Sequence, residues 1–114
     1  MATLINEEQL KNLKSLFNEG FSDFVLLYFS QFEKQEKELG QNISTKEMEK
    51  IQLIAHALKG NSLNMGATAL AEKCSAIEQA SISKNLDEVI TQYKELETLY
   101  PTVKQTYLQI ASSI

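Results

Sequence analysis

The stretch of the chain with the clearest chemical potential is IAHALKGNSLNMGA, residues 54–67, which contains the only histidine. His56 is followed by Lys59 three residues later and by Gly60 four residues later. An imidazole can act as a nucleophile and form a covalent adduct, because its usual pKa of about 6.5 leaves it largely unprotonated at neutral pH. A lysine one helical turn away would favour an anionic adduct, and a phosphoryl group is the obvious example.

Helical geometry predicts that His56 points away from the protein interior. If each residue advances about 100° and Ile51 is set at about 0°, the apolar residues of this helix centre near roughly 350°. His56 then lies at about 140°, on the opposite side, together with Lys59 and Gly60. An isolated exposed histidine is usually an ordinary surface residue, so the functional interpretation depends on these neighbours.

The other residues around His56 predict a surface for a partner. Gly60 in the middle of a helix costs roughly 1 kcal/mol relative to alanine, and leaving room for another molecule beside the imidazole would explain its presence. Gln52, Leu53 and Leu63 fall on the same side of the helix. Leucines beside a polar group are typical of a docking surface. We therefore predict that Gln52, Leu53, Gly60 and Leu63 form a docking rim around His56.

The elements that position these residues are predicted to be helices throughout, because apolar residues recur every three or four positions and strand-type alternation is absent. Asn6 is expected to cap the first helix, and Gly40 to end the second. Ser44–Glu47 reads as a capping box at the start of the third helix, and Pro101 is expected to kink or split the last one. The predicted helices cover about residues 7–18, 21 or 22–39, 44–65, 66–80 and 85–112.

Short connections between amphipathic helices predict that neighbours pack antiparallel. The expected fold is therefore all-α, an antiparallel up-down-up-down four-helix bundle with a short N-terminal capping helix. With 114 residues, the chain is long enough to bury one substantial core, and we predict a single domain over residues 1–114.

Composition excludes several classes of function. The net charge is −4 and no run of lysines stands out, which argues against a nucleic-acid partner. The single cysteine, Cys74, excludes a disulfide framework and a cysteine-rich metal site, and its position predicts a small buried side chain. The sequence shows neither a secretory signal nor an apolar run of about 20 residues. We expect a cytoplasmic monomer that does not enter a membrane and needs no cofactor or metal.

Residues 56–78 resemble the histidine-containing phosphotransfer (HPt) family in both residue type and spacing. The family pattern has a histidine, then Leu, Lys and Gly, then small residues and Gly-Ala, and later Leu, Cys and an apolar–acidic pair. The matching residues here are His56, Leu58, Lys59, Gly60, Ser62, Gly66, Ala67, Leu70, Cys74, Ile77 and Glu78.

The resemblance implies a four-helix bundle and a phosphocarrier. His56 would accept a phosphoryl group from an aspartyl phosphate on a receiver domain and pass it to another receiver. The partners would be the receiver domains of a hybrid histidine kinase and a response regulator. Lys59 would stabilise the phosphoryl group, Gly60 would admit the receiver, and Gly66 would start the next helix. Magnesium and the aspartate would come from the partner, because no acidic cluster is expected to face His56.

The chain departs from some members of the family on its fourth helix. Those relatives support the histidine with a Gln and a nearby Arg, and here the corresponding residues are Glu78 and Ile82. The resemblance therefore transfers no supporting role to either residue.

Two other functions remain to be compared with the phosphocarrier. A helical adaptor that carries no phosphate would have no need to keep His56, Lys59 and Gly60 together. A histidine kinase also presents a histidine on a helix, but it needs a nucleotide-binding domain, and no ATP-binding motif is present. We therefore expect a phosphotransfer intermediate without its own ATP site, and not an enzyme.

Overall fold

The computed structural model describes residues 4–114; residues 1–3, which the predicted domain includes, lie outside this part. A single 3₁₀ turn at Asn18–Gly20 separates the first two helices. No strand occurs between residues 4 and 114, so the prediction of an all-helical fold with four main helices is confirmed. The α-helices are α1 (Glu7–Phe17), α2 (Phe21–Ser44), α3 (Met48–Asn64), α4 (Thr68–Ile82) and α5 (Leu86–Ser113).

The four long helices contact one another in a ring. Helix α2 packs against α3 and α5, and α4 packs against α3 and α5. Each helix contributes one apolar face to a continuous core. On α3 that face includes Ile51, Ala55 and Leu58, and α4 adds Cys74, which is buried as predicted. None of the helices within residues 4–114 is both long and apolar enough to cross a membrane.

The three connections between the long helices share one hydrogen-bonding pattern, the Schellman motif. In each, the third loop residue donates its N–H to a carbonyl five residues earlier, as in the 2.8 Å bond from Ala67 N to Ser62 O. The middle residue of each loop has a positive φ, which satisfies the last carbonyls of the preceding helix. These middle residues are Lys46 (61°), Gly66 (75°) and Lys84 (56°).

The loop between α3 and α4 is also tied to α1. The backbone N–H of Asn6 donates to the Gly66 carbonyl at 2.7 Å, and the Gln9 side chain donates to the Asn64 carbonyl at 2.8 Å. Asn6 Oδ1 accepts from Gln9 N at 3.1 Å, so the predicted N-cap of α1 is confirmed. Tyr107 of α5 adds a bond from its hydroxyl to the Met65 carbonyl at 2.8 Å.

The predicted boundary between the second and third helices is wrong. Helix α2 continues through Gly40 to Ser44, and the Ser44 hydroxyl donates to the Gly40 carbonyl at 3.2 Å. Glu47 is the N-cap of α3, but its side chain makes no capping bond. Gly40 has a different reason to be glycine: a Cβ there would lie 2.5 Å from the hydroxyl of Tyr93. It allows α5 to approach α2 closely.

Two smaller expectations concern Gly66, where the prediction is wrong, and Pro101, where a split of the helix is excluded and a kink stays a prediction. Gly66 does not start the fourth helix; it follows α3 in the left-handed conformation, and α4 begins at Thr68. Pro101 does not split the last helix, because α5 runs from Leu86 to Ser113 with the proline inside it.

Candidate functional site

Helix α3 holds His56 on the outside of the bundle. The His56 side chain is 67% exposed, whereas Ile51, Ala55 and Leu58 on the opposite side of the helix are buried. The outward direction predicted from helical geometry is therefore confirmed. A substitution at His56 would remove little packed surface.

A carboxylate from α4 joins the two residues that the sequence had linked to phosphate chemistry. Glu78 Oε2 lies 2.7 Å from His56 Nδ1, and Glu78 Oε1 accepts a hydrogen bond from Lys59 Nζ at 2.7 Å. The Glu78 side chain is only 8% exposed. Because a buried carboxylate is costly without partners, this pairing explains how Glu78 is accommodated between α3 and α4.

The partners of Glu78 keep it ionised. The hydrogen bond from Lys59 holds the pKa of the Glu78 carboxyl below its usual range, and the bond with His56 acts in the same direction against the opposing effect of burial. An ionised carboxylate can only accept hydrogen bonds. The Glu78 contact therefore assigns the proton of a neutral His56 ring to Nδ1, and the lone pair to Nε2.

The second ring nitrogen, Nε2, belongs to a side chain that is largely exposed. No hydrogen bond joins His56 Nε2 to any other group within residues 4–114. Nε2 is thus the nitrogen that carries a lone pair and is open to a group from outside. This arrangement resembles the way a carboxylate fixes the tautomer of a catalytic histidine in other proteins.

The residues of the predicted docking rim are open to solvent to different degrees. Leu53 and Leu63 are exposed, whereas Gln52 and Gly60 are half-buried. A Cβ added at Gly60 would meet no atom within 4 Å outside its own helix backbone. Packing inside the chain therefore does not require glycine at this position.

The sequence interpretation missed Glu78 as a member of the site. It matched Glu78 to a Gln of some relatives and transferred no role, and it expected no acidic cluster facing His56. The structure brings one buried carboxylate to His56, and within the described residues no group of three or more His, Cys, Asp or Glu could hold a metal. The sequence does contain one indication of this contact. His56 lies ten residues before Gly66 and Glu78 lies twelve after it, so the two residues are at similar distances from the loop that joins α3 and α4.

The cationic side of the site consists of lysine alone. The sequence contains no arginine, and Ile82, at the place of the Arg in some relatives, is an exposed apolar side chain. The ammonium of Lys59 forms an ion pair with Glu78. A lysine acts on phosphate as a mobile point charge, without the rigid fork of a guanidinium.

Comparisons with known proteins give one family from the sequence and one fold from the solved structures. The sequence matches the family described as Hpt domain over residues 23–106, more than half of the chain. The crystal structure of histidine-containing phosphotransfer protein B (HptB) from Pseudomonas aeruginosa PAO1 is similar with a TM-score of 0.91 and 19% sequence identity, covering 100% of this chain and 99% of that chain. Histidine-containing phosphotransfer protein ZmHP2 from maize gives a TM-score of 0.81 and 24% identity, over 96% of this chain and 86% of that one. No curated protein matches the sequence significantly.

The family match includes all of α3 and α4, and therefore every residue of the His56 site described above. It supports a histidine phosphotransfer role in phosphorelays. Hpt proteins are phosphocarriers that interact with receiver domains, and not classical enzymes. The chain belongs to the Hpt domain family.

Proposed function

We propose that this chain is a phosphocarrier in a multistep phosphorelay and that His56 is its phosphoryl acceptor. The observation that carries the proposal is the state of the His56 ring: its Nδ1 is bonded to buried Glu78, and its Nε2 is open on an exposed face. The phosphoryl group comes from an aspartyl phosphate on one receiver domain and leaves to an aspartate on another. The receivers belong to a hybrid histidine kinase and a response regulator.

The transfer step can be written from the atoms of the site. The Nε2 lone pair attacks phosphorus, an Nε2–P bond forms, and the P–O bond to the receiver's aspartate breaks. The aspartate leaves as a carboxylate, and the ring keeps its Nδ1 proton and becomes a cation beside Glu78. Passing the phosphoryl group to the next receiver reverses these changes. Receivers supply the aspartate and the Mg²⁺.

Lys59 and the docking rim have supporting roles in this proposal. Lys59 lies one turn from His56, so that its ammonium can reach a phosphoryl group on the ring. Leu53 and Leu63 provide exposed apolar contact for a receiver, with Gln52 beside them. The open space at Gly60 supports its role as the gap through which the receiver's aspartate approaches.

The proposal extends to the finer arrangement and setting of the chain. Three-residue connections support an antiparallel up-down-up-down bundle, and the bonds from Asn6 and Gln9 to the α3–α4 loop support α1 as its cap. A single domain over residues 1–114, a monomeric state, a cytoplasmic location, and the lack of an ATP site of its own stay predictions.

The direct test is transfer from a phosphorylated receiver domain. The chain should gain an acid-labile, base-stable label, and His56→Gln should gain none. Because His56 is exposed, the variant should keep its helical circular dichroism and change the free energy of unfolding by less than ~0.5 kcal/mol. Labelling of His56→Gln would contradict the assignment. Labelling by ATP and Mg²⁺ alone would support an enzyme, and no labelling in any arm would support the adaptor.

A further inference from the structure

One large apolar side chain near the His56 site, Ile82, has no role in the function proposed above. Ile82 is 50% exposed, and no other large apolar side chain of α4 is exposed. The two exposed leucines of the docking rim, Leu53 and Leu63, lie on α3, as do the other residues of that rim. Exposed apolar side chains therefore occur on both helices that form the site.

The position of Ile82 follows from its spacing to Glu78. Residues four apart on a helix are neighbours on one face, with Cβ atoms roughly 5–6 Å apart. Because Glu78 Oε2 lies 2.7 Å from His56 Nδ1, the face that carries Ile82 is the one beside the imidazole. Helices α3 and α4 extend from the same loop at Gly66. Ile82 is farther from that loop than Glu78, whereas Leu63 is nearer to it than His56, so the imidazole has apolar neighbours in both directions.

A protein that reaches Nε2 of His56 must also cover Ile82. An interface of ordinary size buries about 800 Å² of each partner, which corresponds to a disc with a radius of roughly 16 Å. Ile82 lies one turn from a residue that touches His56, and therefore within roughly 10 Å of the ring. Leu53 and Leu63 lie about 5 Å and about 11 Å along α3 from His56. All three side chains fall inside an interface centred on Nε2.

The surroundings of Ile82 favour an uncharged contact. The charged side chain one turn before it, Glu78, has both oxygens bonded, to His56 and to Lys59. A charge of the partner placed against Ile82 would lose its hydration without gaining a counterion, whereas an apolar side chain would bury apolar surface on both proteins.

We propose that Ile82 is a specificity-determining residue of the docking surface: it extends that surface from α3 onto α4 and selects receiver domains that place an apolar side chain opposite it. This inference rests on the proposed function of His56. It adds a second helix to the surface that a receiver recognises.

Three substitutions and two phosphoryl donors test the contact. One donor is a phosphorylated receiver domain, which covers Ile82. The other is phosphoramidate, a small molecule whose P–N bond breaks and releases ammonia as the Nε2–P bond forms. The ratio of receiver-driven to phosphoramidate-driven labelling of His56 should fall about tenfold in Ile82→Ser, as for a well-packed interface side chain. It should fall further in Ile82→Lys, which adds a charge, and stay near the wild-type ratio in Ile82→Leu.

Leu26→Ser is the matched control. Leu26 is 53% exposed, but it lines a cleft between α2 and α5 with Leu108 and Ala111. The ratio for this variant should equal that of wild type. A wild-type ratio in Ile82→Ser, or an equal loss in Leu26→Ser and Ile82→Ser, would overturn the inference.

Methyl NMR tests the contact in the wild-type chain, without any substitution. On addition of the receiver domain, the ¹³C-methyl signals of Ile82 should shift, and those of Leu26 should not. Unshifted Ile82 signals with a receiver that labels His56 would overturn the inference. Failure of the proposed function gives a different result: if neither donor labels His56, the phosphocarrier proposal fails, whereas a wild-type ratio in Ile82→Ser contradicts only the role of Ile82.

Discussion

Glu78 and Glu36 are both shielded from solvent, but the pKa of one carboxyl group is lowered and that of the other is raised. Glu78 has a hydrogen bond on each oxygen, and Lys59 and His56 hold its pKa below the usual range. Glu36 on α2 has a buried Oε2 with no hydrogen-bond partner among the described residues. Burial, followed by the negative charges of Glu97 and Glu33, raises the pKa of Glu36 to about 7. Burial alone therefore does not determine charge here; the placement of cations does.

Glu33, which lies one turn before Glu36 on α2, does have a cation as its partner. Lys104 of α5 donates to Glu33 Oε2 at 2.7 Å, and the Tyr100 hydroxyl donates to the same oxygen at 2.6 Å. These two bonds lower the pKa of Glu33, whereas none of the ion pairs among residues 4–114 includes Glu36. The α3–α4 side of the bundle thus holds an ionised carboxylate, whereas the α2–α5 side holds a carboxyl group that takes up a proton near neutral pH.

Removing the cation of the Glu78 site is expected to affect both stability and transfer. Lys59→Ala leaves a buried carboxylate with His56 as its remaining partner. We expect the free energy of unfolding in urea at pH 7 to fall by about 1–3 kcal/mol, the usual cost of an unsatisfied buried group. Transfer to His56 should slow by about ten- to a hundredfold without stopping, because Lys59 supplies charge and not the bonding atom.

Lys73→Ala is the matched control for Lys59→Ala. Lys73 is 29% exposed and bonded to Glu95 at 2.9 Å, but its partner is exposed, so removing it should cost at most about 1 kcal/mol and leave transfer unchanged. The effect of Lys59→Ala also has a pH signature. Because the pKa of Glu78 is lowered in the folded protein, its stabilising contribution is present above about pH 4.5 and lost below it. If Lys59→Ala were destabilised relative to wild type by the same free energy in acid as at pH 7, this explanation would be contradicted.

Gly40→Ala is expected to destabilise the opposite side of the bundle. The new Cβ would lie 2.5 Å from the Tyr93 hydroxyl and 3.1 Å from its Cζ, and it would displace the bond from that hydroxyl to the Glu36 carbonyl. We expect a loss of about 1–3 kcal/mol by thermal or urea unfolding, as for other overpacked sites. Phosphoryl transfer should be unaffected. A gain in stability would mean that α5 does not approach α2 as closely as described.

Glu36→Gln tests whether the carboxyl group without a hydrogen-bond partner on its buried oxygen takes up a proton in the folded protein. The folded protein binds the Glu36 proton more tightly than the unfolded chain does. The contribution of this proton to the free energy of unfolding is therefore complete below about pH 4.5 and is lost as pH rises through about 7. The variant should match wild type in acid and be more stable by roughly 1–2 kcal/mol at pH 8, a value reduced for solvent screening of a half-buried group. A constant difference across this range would exclude proton uptake by Glu36.

The smallest change in stability is expected at Gly60. Gly60→Gln should leave stability unchanged or raise it by several tenths of a kcal/mol, because Gln is the better helix former and the position is open. Transfer from a phosphorylated receiver should nevertheless fall, since the side chain would lie beside His56. Gly20→Gln is the control: it also has open space around it, but it lies in the 3₁₀ turn and should not affect transfer. Unfolding of Gly60→Gln would assign Gly60 to packing, whereas normal transfer would mean that the receiver approaches from another side.

Apolar periodicity was sufficient to predict the helices and the outward direction of His56, because both depend on spacing within one segment. The bond between His56 and Glu78 joins residues 22 positions apart on two helices, so it depends on how deeply α4 packs against α3. Gly40 was misread for a similar reason. A glycine can end a helix or admit a close neighbour, and the neighbour, Tyr93, lies on α5. Ser44 and Glu47 have the residue types of a capping box, but the Schellman motif at Lys46 decided the boundary.

The central claim is that phosphorus bonds to Nε2 of His56 while Glu78 retains the Nδ1 proton. The most direct measurement is NMR of ¹⁵N-labelled protein phosphorylated by a receiver domain, in which a bonded pair shows coupling between ³¹P and ¹⁵N. We predict coupling to Nε2 of His56, with Nδ1 still protonated. Coupling to Nδ1, or phosphate on any residue other than His56, would contradict the account.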